Sequence, residues 1–509
     1  CQSEVDRATC QMGEFAMFQC TADRAGDGDV GDGRWLAVSG RPQHTDMTCR
    51  MATLPRIQSP GHRVTWGTRM QVSKRQIGLV TATALVLGNM IGSGVFLLPA
   101  SLAPYGGYSL VGWAISAIGA LLMASVFYRL AQRAPRAGGP YAYSREAFGD
   151  CVGFLVGWCY WVSIVGANAA IAVAFASYLS TYIPLIGSSP LLGALTALAA
   201  IWTLTAVNIA GIRNAGVVQV TTTILKVLPL LVLAVFGLAH FNPQLLVPGP
   251  QSGPPMHAIS LCVTATLFAF LGVECATIPA NHVRDPEKTI PRATLLGALI
   301  AALVYIACTA AVLGLIPAAQ LAHSNAPFAD AGRLLWGDWA AWLIAGVAAI
   351  SCFGALNGWI MIAGQYPHAI ARDGLLPRFF AGECRRGTPA QALLFAAAFS
   401  SLLVLANYTR GLVAMFTFIV LLSTLGCVIA YLFCAMADIV LARRAASPAP
   451  WRNLVLACGG FAFSVLAVIG AGQEAVYWNF ILLITGIPLY VWLARSGKNA
   501  ATPEPGAPR

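Results

Sequence analysis

Gly88-Asn89-Met90-Ile91-Gly92-Ser93-Gly94-Val95-Phe96-Leu97-Leu98-Pro99 is the stretch that decides how the rest of the chain is read. It lies inside an apolar run, approximately residues 78–103, long enough to cross the hydrocarbon of a bilayer as a helix. Three glycines and two polar residues stand at its centre. No water is available there to bond a freed amide or carbonyl, so such a centre is costly and tends to mark function. The pattern predicts a broken helix; close packing of small residues on a neighbouring helix is the alternative. A second such place is Thr266-Leu267-Phe268-Ala269-Phe270-Leu271-Gly272-Val273-Glu274-Cys275-Ala276. Gly272 offers a break point and Glu274 puts a carboxyl at membrane depth. A neutral Glu274 bonding a neighbouring helix is the plainer reading.

Working outward, apolar runs alternate with short polar breaks. Twelve spans are predicted, at approximately 78–103, 108–130, 152–180, 190–212, 216–239, 256–280, 292–316, 336–369, 389–407, 411–440, 453–471 and 474–495. Alternation of period two is absent, which argues against a β-barrel. The composition agrees. Of 509 residues, 57% are hydrophobic and 10% charged, and the mean hydropathy is +0.69; soluble domains carry about 25% charged residues. The net charge of +11 raises nucleic acid as a partner, and the location of the charges removes it. With a cytoplasmic N-terminus and alternating spans, twenty Lys and Arg fall inside, while Arg333 and Arg410 alone fall in outside loops. That is the positive-inside bias of a multi-pass protein with both termini cytoplasmic.

Residues 1–69 read differently. They hold 8 Arg and 8 acidic residues, many Gly, Asp, Gln and Thr, and no apolar run that could span a membrane or serve as a signal peptide. They are expected to be a disordered extension, or to lie upstream of a true start at Met70, with a small ordered cap as the alternative. Cys1, Cys10, Cys20 and Cys49 are separated by 9, 10 and 29 positions, which is no zinc spacing. Residues 70–509 form the expected membrane domain. It contains no phosphate loop with a following Lys-Ser/Thr, so an ATP-driven pump is disfavoured. Gly88, Gly92 and Gly94 lack dinucleotide-binding spacing. No cofactor, metal or catalytic cluster is expected, and a channel stays open as an alternative.

Two interrupted helices five spans apart point to a transporter built from inverted repeats, spans 1–5 and 6–10, with two spans appended. In that arrangement the N-termini of half-helices favour an anionic group, and freed carbonyls accept from a cationic one. An amino acid carries both on adjacent atoms.

The same residues carry a resemblance. Gly88 to Ala100 is similar to the first helix of the amino acid–polyamine–organocation (APC) transporters, above all the basic amino acid/polyamine antiporters of the arginine/agmatine type. Gly138-Gly139-Pro140-Tyr141-Ala142-Tyr143, Phe270-Leu271-Gly272-Val273-Glu274, Asp285-Pro286-Glu287-Lys288-Thr289-Ile290-Pro291, Gly358-Trp359 and Arg372-Asp373-Gly374-Leu375-Leu376-Pro377 extend it over about residues 74–495. It implies an all-α integral membrane protein with twelve transmembrane helices, a leucine-transporter-like 5+5 inverted repeat, helices 1 and 6 broken, and secondary active transport rather than enzyme catalysis. It places Ser93 and Gly94 on the substrate carboxylate and the carbonyls of Met90, Phe268 and Leu271 on the α-amino group, with Asn89 and Ile91 beside them. Trp359 would stack on a cationic side chain. Tyr160, Ser163, Asn168 and Ser423 would line the rest, and Glu274 would be the gate that responds to protons.

Plainer readings stand beside these. The alternative for Trp359 is a packing aromatic; Tyr160 reads equally as an interfacial belt residue, and Ser163 and Asn168 equally as bonds between helices. Two departures bear on the substrate. Phe268 stands where the arginine/agmatine antiporter has a Trp. Lys226 stands in the fifth span where the antiporter is uncharged, and proton-coupled members of the superfamily carry a Lys there in place of a sodium ion. A proton-coupled amino acid symporter using Lys226 is therefore the second expectation; a Lys226 that snorkels to the interface is the plain one. The expected partners are an amino acid or polyamine substrate and the lipid bilayer of the cell inner membrane, with a homodimer left open.

Overall fold

In the computed structural model the described residues are 78–133, 138–210, 215–274, 285–384, 387–444 and 450–495. The expected extension at 1–69 lies outside them, as do the end of the sixth span beyond Glu274 and several of the basic residues counted above, among them Arg136, Arg213, Arg284, Arg385 and Arg386. The side chain of Asn89 is also outside the description.

All regular structure among the described residues is helical. In chain order it comprises α1 (Leu79–Met90), α2 (Ser93–Leu102), α3 (Gly107–Arg133), α4 (Pro140–Phe148), α5 (Asp150–Leu179), α6 (Pro184–Ser188), α7 (Pro190–Ala210), α8 (Ala215–Ala239) and α9 (Pro255–Leu267). It continues with α10 (Pro286–Leu315), α11 (Ala318–Leu321), α12 (Pro327–Trp336), α13 (Asp338–Arg372), α14 (Ala390–Asn407), α15 (Leu412–Arg444), α16 (Trp451–Gly470) and α17 (Gln473–Arg495). Ten segments among the described residues are long and apolar enough to cross a membrane. Two shorter apolar helices, Lys226–Ala239 and Pro255–Phe270, fall on the fifth and sixth expected spans. The loop between the seventh and eighth spans holds α11 and α12, which hydropathy alone does not reveal.

The first span is interrupted where its glycines stand. In a continuous helix the Gly92 amide would bond the Gly88 carbonyl. Here α1 stops at Met90, and the Gly92 amide turns to the Met90 carbonyl at 2.9 Å. Gly92 takes φ −126°, ψ −131°, and α2 begins at Ser93. The sixth span is interrupted as well. After α9 the chain tightens into a 3-10 turn over Phe268–Phe270, extends at Leu271 (φ −61°, ψ 138°), and passes Gly272 at φ +97°. That last conformation is costly for any residue with a Cβ.

At the centre runs α5, buried nearly all round from Phe154 to Tyr178 and packed on α13, α15, α7 and α4. A helix apolar on every face is at home there. At the edge, α17 turns Tyr477, Trp478, Phe480 and Ile484 outward. At the end carrying Arg372 and Arg378, Tyr141 of α4 donates to Asp373 Oδ2 at 2.9 Å. Burial first, and then that carboxylate, hold the Tyr141 phenol above its ordinary range, so it keeps its proton and remains a donor.

Candidate functional site

The two interruptions meet. A Cβ placed on Gly94 would stand 2.7 Å from the Cβ of Ala269, so the first turn of α2 lies directly against the 3-10 turn after α9. Between them is a cavity of about 20 Å³ lined by Met90, Gly92, Ser93, Gly94, Ala167, Ile171, Phe268, Ala269, Leu271 and Trp359. Its walls have opposite polarity. The N-terminus of α2 has no side-chain cap and presents the first amides of a helix, the positive end of its dipole. The C-terminal ends of α1 and of the 3-10 turn carry carbonyls, of which that of Met90 accepts from the Gly92 amide at 2.9 Å and that of Phe268 from the Leu271 amide at 3.2 Å. Ser93 Oγ is buried and has no hydrogen-bond partner among the described residues. Trp359, on α13, is 5% exposed and forms another wall.

Two ionisable side chains hold the broken ends. Lys226 is 2% exposed, and its Nζ donates to the Gly88 carbonyl at 3.2 Å, the group that the break releases from the helix ladder. Glu274 is buried and accepts from the hydroxyls of Tyr160 and, at 2.8 Å, Tyr431. Among the described residues no group of His, Cys, Asp and Glu could hold a metal ion.

The profile of the amino acid permease family matches residues 77–491. The chain belongs to that family. Among similar curated proteins, a putrescine transporter PotE of Haemophilus influenzae is 32% identical over 426 residues, 83% of this chain and 98% of that protein. A cadaverine/lysine antiporter of Escherichia coli K12 is 33% identical over 430 residues, 82% and 95% respectively. A putrescine transporter PotE of the same strain is 30% identical over 425 residues, 82% and 96%. These matches and the apolar helices make the permease a multi-pass membrane transporter of the APC superfamily rather than an enzyme.

Of the residues singled out in the sequence, the fold brings Met90, Ser93, Gly94, Phe268, Leu271 and Trp359 of the permease around one cavity. Ile91 is buried beside it without lining it. Tyr160 is 4% exposed and bonds Glu274, which overturns its reading as an interfacial belt residue. Lys226 is likewise no snorkelling residue. Ser163 and Ser423 bond each other, Ser423 Oγ to the Ser163 carbonyl at 2.7 Å, and tie α15 to α5. Asn168 is buried on α5 next to Ala167, and its Oδ1 has no partner among the described residues.

Gly92, whose part in the break the sequence predicts, also lines the cavity, as do Ala167, Ile171 and Ala269, which no sequence signal singles out. Ala167 and Ile171 are four apart and so share one face of α5, but nothing in two aliphatic residues of an apolar span signals a binding wall.

Clusters of side-chain contacts flank the cavity on both sides along α5. Tyr160 precedes Ala167 by seven residues and Tyr178 follows Ile171 by seven, ~10 Å each way along the axis. On one side Tyr160 and Tyr431 close on Glu274, and the Tyr366 ring lies 5.0 Å from that of Tyr160. On the other, Tyr178 donates to the Phe96 carbonyl at 2.6 Å and accepts from the Phe328 amide at 3.4 Å. The Phe96 ring packs edge-on against both Tyr178 and Phe328, at 5.8 and 5.6 Å.

Proposed function

We propose that the protein is an antiporter that exchanges a basic amino acid for a related amine. The observation that carries this reading is the meeting of a bare helix N-terminus and two carbonyl-bearing helix ends at one cavity walled by Trp359. A carboxylate suits the first, an α-ammonium the second, and an aromatic face suits a cationic side chain. In this reading Ser93 and Gly94 take the carboxylate, the carbonyls of Met90, Phe268 and Leu271 take the ammonium, and Asn89 and Asn168 add polar contacts. A buried hydroxyl left unbonded costs roughly 1–3 kcal/mol, which a cargo reaching Ser93 Oγ would offset. The relatives, whose names specify putrescine and cadaverine/lysine, support the class. Arginine and agmatine are the pair suggested by the first-helix motif, and Phe268 leaves the choice among basic pairs to experiment.

The cavity has room for about one water, so cargo enters only when the half-helices move. Alternating access by rocking of one repeat against the other supplies that motion. The Phe96–Tyr178–Phe328 seal and the Glu274–Tyr160–Tyr431 seal are the contacts that would open in turn. We further assign twelve spans in a 5+5 inverted repeat with residues 70–509 as the transport unit, an inner-membrane location, and both termini in the cytoplasm, as the positive-inside count favours.

Lys226, buried on the freed Gly88 carbonyl, favours a second reading, proton symport. Counterflow in proteoliposomes separates the two. An antiporter takes up labelled basic amino acid or diamine rapidly only when unlabelled substrate is inside. Strong uptake into empty, acid-outside liposomes that disappears in Lys226→Ala would establish symport instead.

A further inference from the structure

A second cavity lies away from the transport site. It measures about 370 Å³ and is walled almost wholly by apolar groups, among them Trp158 and Trp161 of α5, Ile370 of α13, Phe379, Phe395 of α14 and Leu489 of α17. All belong to one end of the bundle: the early turns of α5 and α14, the late turns of α13 and α17, and the loop after α13. Phe379 and Phe395, 52% and 42% exposed, stand at its outer edge. By the same measure it is many times larger than the transport cavity, and it has no polar group suited to an amino acid or amine.

Three carboxylates at this end have basic neighbours among the described residues: Asp150 and Asp373 pair with Arg145, at 2.6 and 3.1 Å, and Glu383 lies 3.1 Å from His368. Arg378, next in the chain to Phe379, is exposed and has no acidic partner among the described residues. At the opposite end Arg333 and Arg410 are both paired, with Asp330 and with Glu474. An apolar groove beside an unmatched arginine is complementary to an amphiphile with a negative head.

We propose that this groove seats an acyl chain of an anionic phospholipid from the leaflet at the arginine-rich end, with Arg378 holding the phosphate of its headgroup. A second copy of the chain fits less well. A two-fold pairing centred here sets the same surface against itself and brings two Arg378 side chains together, whereas a phosphate neutralises one.

The test is native mass spectrometry of the full chain in detergent, titrated with phosphatidylglycerol or phosphatidylethanolamine of identical acyl chains. Transport is not part of the readout, so its outcome is independent of the antiport reading. Phosphatidylglycerol is expected to bind about fivefold more tightly, the effect of one arginine near a membrane surface. Arg378→Ala should bring it to the level of phosphatidylethanolamine, and Leu489→Trp, which fills the groove, should weaken both. Equal affinities in the unaltered protein, or a preference that survives Arg378→Ala, overturns the proposal. So does a lipid-free dimer that Leu489→Trp splits into monomers, which would give the groove to a second copy.

Discussion

In the proposed exchange, Trp359 is the residue on which the choice of cargo turns. It is buried against the cavity together with Phe268 and the ends of the broken helices. A desolvated cation on an indole face is worth about 2 kcal/mol, or about thirtyfold in affinity. Trp359→Leu is therefore expected to weaken a basic amino acid or diamine by that factor in competition binding, and Trp359→Phe by much less. Equal losses in the two variants would mark Trp359 as packing. Residues of the candidate site are legible in the sequence where they break a rule of the membrane. Ser93, Gly94 and Glu274 are polar or flexible where lipid-spanning helices avoid both. Ala167, Ile171 and Ala269 are not legible, because a small apolar side chain that lines a cavity and one that packs a helix look alike. Tyr431 was hidden for another reason: its partner Glu274 is 157 positions away, and no local pattern connects them.

At the scale of elements, the break after α9 depends on one backbone conformation. Gly272 at φ +97° lets the chain leave the 3-10 turn and set Glu274 between Tyr160 and Tyr431. A Cβ in a left-handed conformation costs roughly 1–2 kcal/mol. Gly272→Ala is expected to lower thermal stability in detergent by about that amount and to slow exchange, because relaxation of residue 272 displaces Glu274. Unchanged stability and exchange would show that the residue takes another conformation in the working protein. The ten long apolar helices among the described residues lie close to the expected spans because hydropathy and length bound a helix in lipid tightly. The short helices α4, α11 and α12 do not, since polar connections carry no comparable constraint. The two interruptions were readable because each combines glycine with a polar side chain, and a span without them has no reason to break.

The whole molecule poses two different questions, what can be removed and what ties its halves together. Residues 1–69 hold no apolar run, so a chain starting at Met70 is expected to insert and exchange substrate as the full chain does; loss of either in a vesicle assay would make the extension a working part. The tie is better defined. Asp438, on α15, is 2% exposed; its Oδ2 accepts from Arg129 Nε at 2.8 Å and lies 2.7 Å from Arg129 Nη2 in an ion pair. Arg133, also on α3, pairs with its other carboxylate oxygen. One buried acid thus joins helices more than three hundred residues apart and offsets part of the charge of two cations. Removing one partner of a buried pair typically costs about 3–5 kcal/mol, because the remaining charge is left uncompensated, whereas replacing the whole set by apolar groups can be neutral. Asp438→Asn should therefore destabilise the detergent-solubilised protein strongly, even though the side chain keeps its shape. Adding Arg129→Met and Arg133→Met to Asp438→Leu should recover most of the loss. If the triple variant is as unstable as Asp438→Asn, the cluster matters for its specific geometry rather than for its charge balance. If Asp438→Asn is itself stable, water reaches this end of α3 and α15 freely and the charges do not need one another.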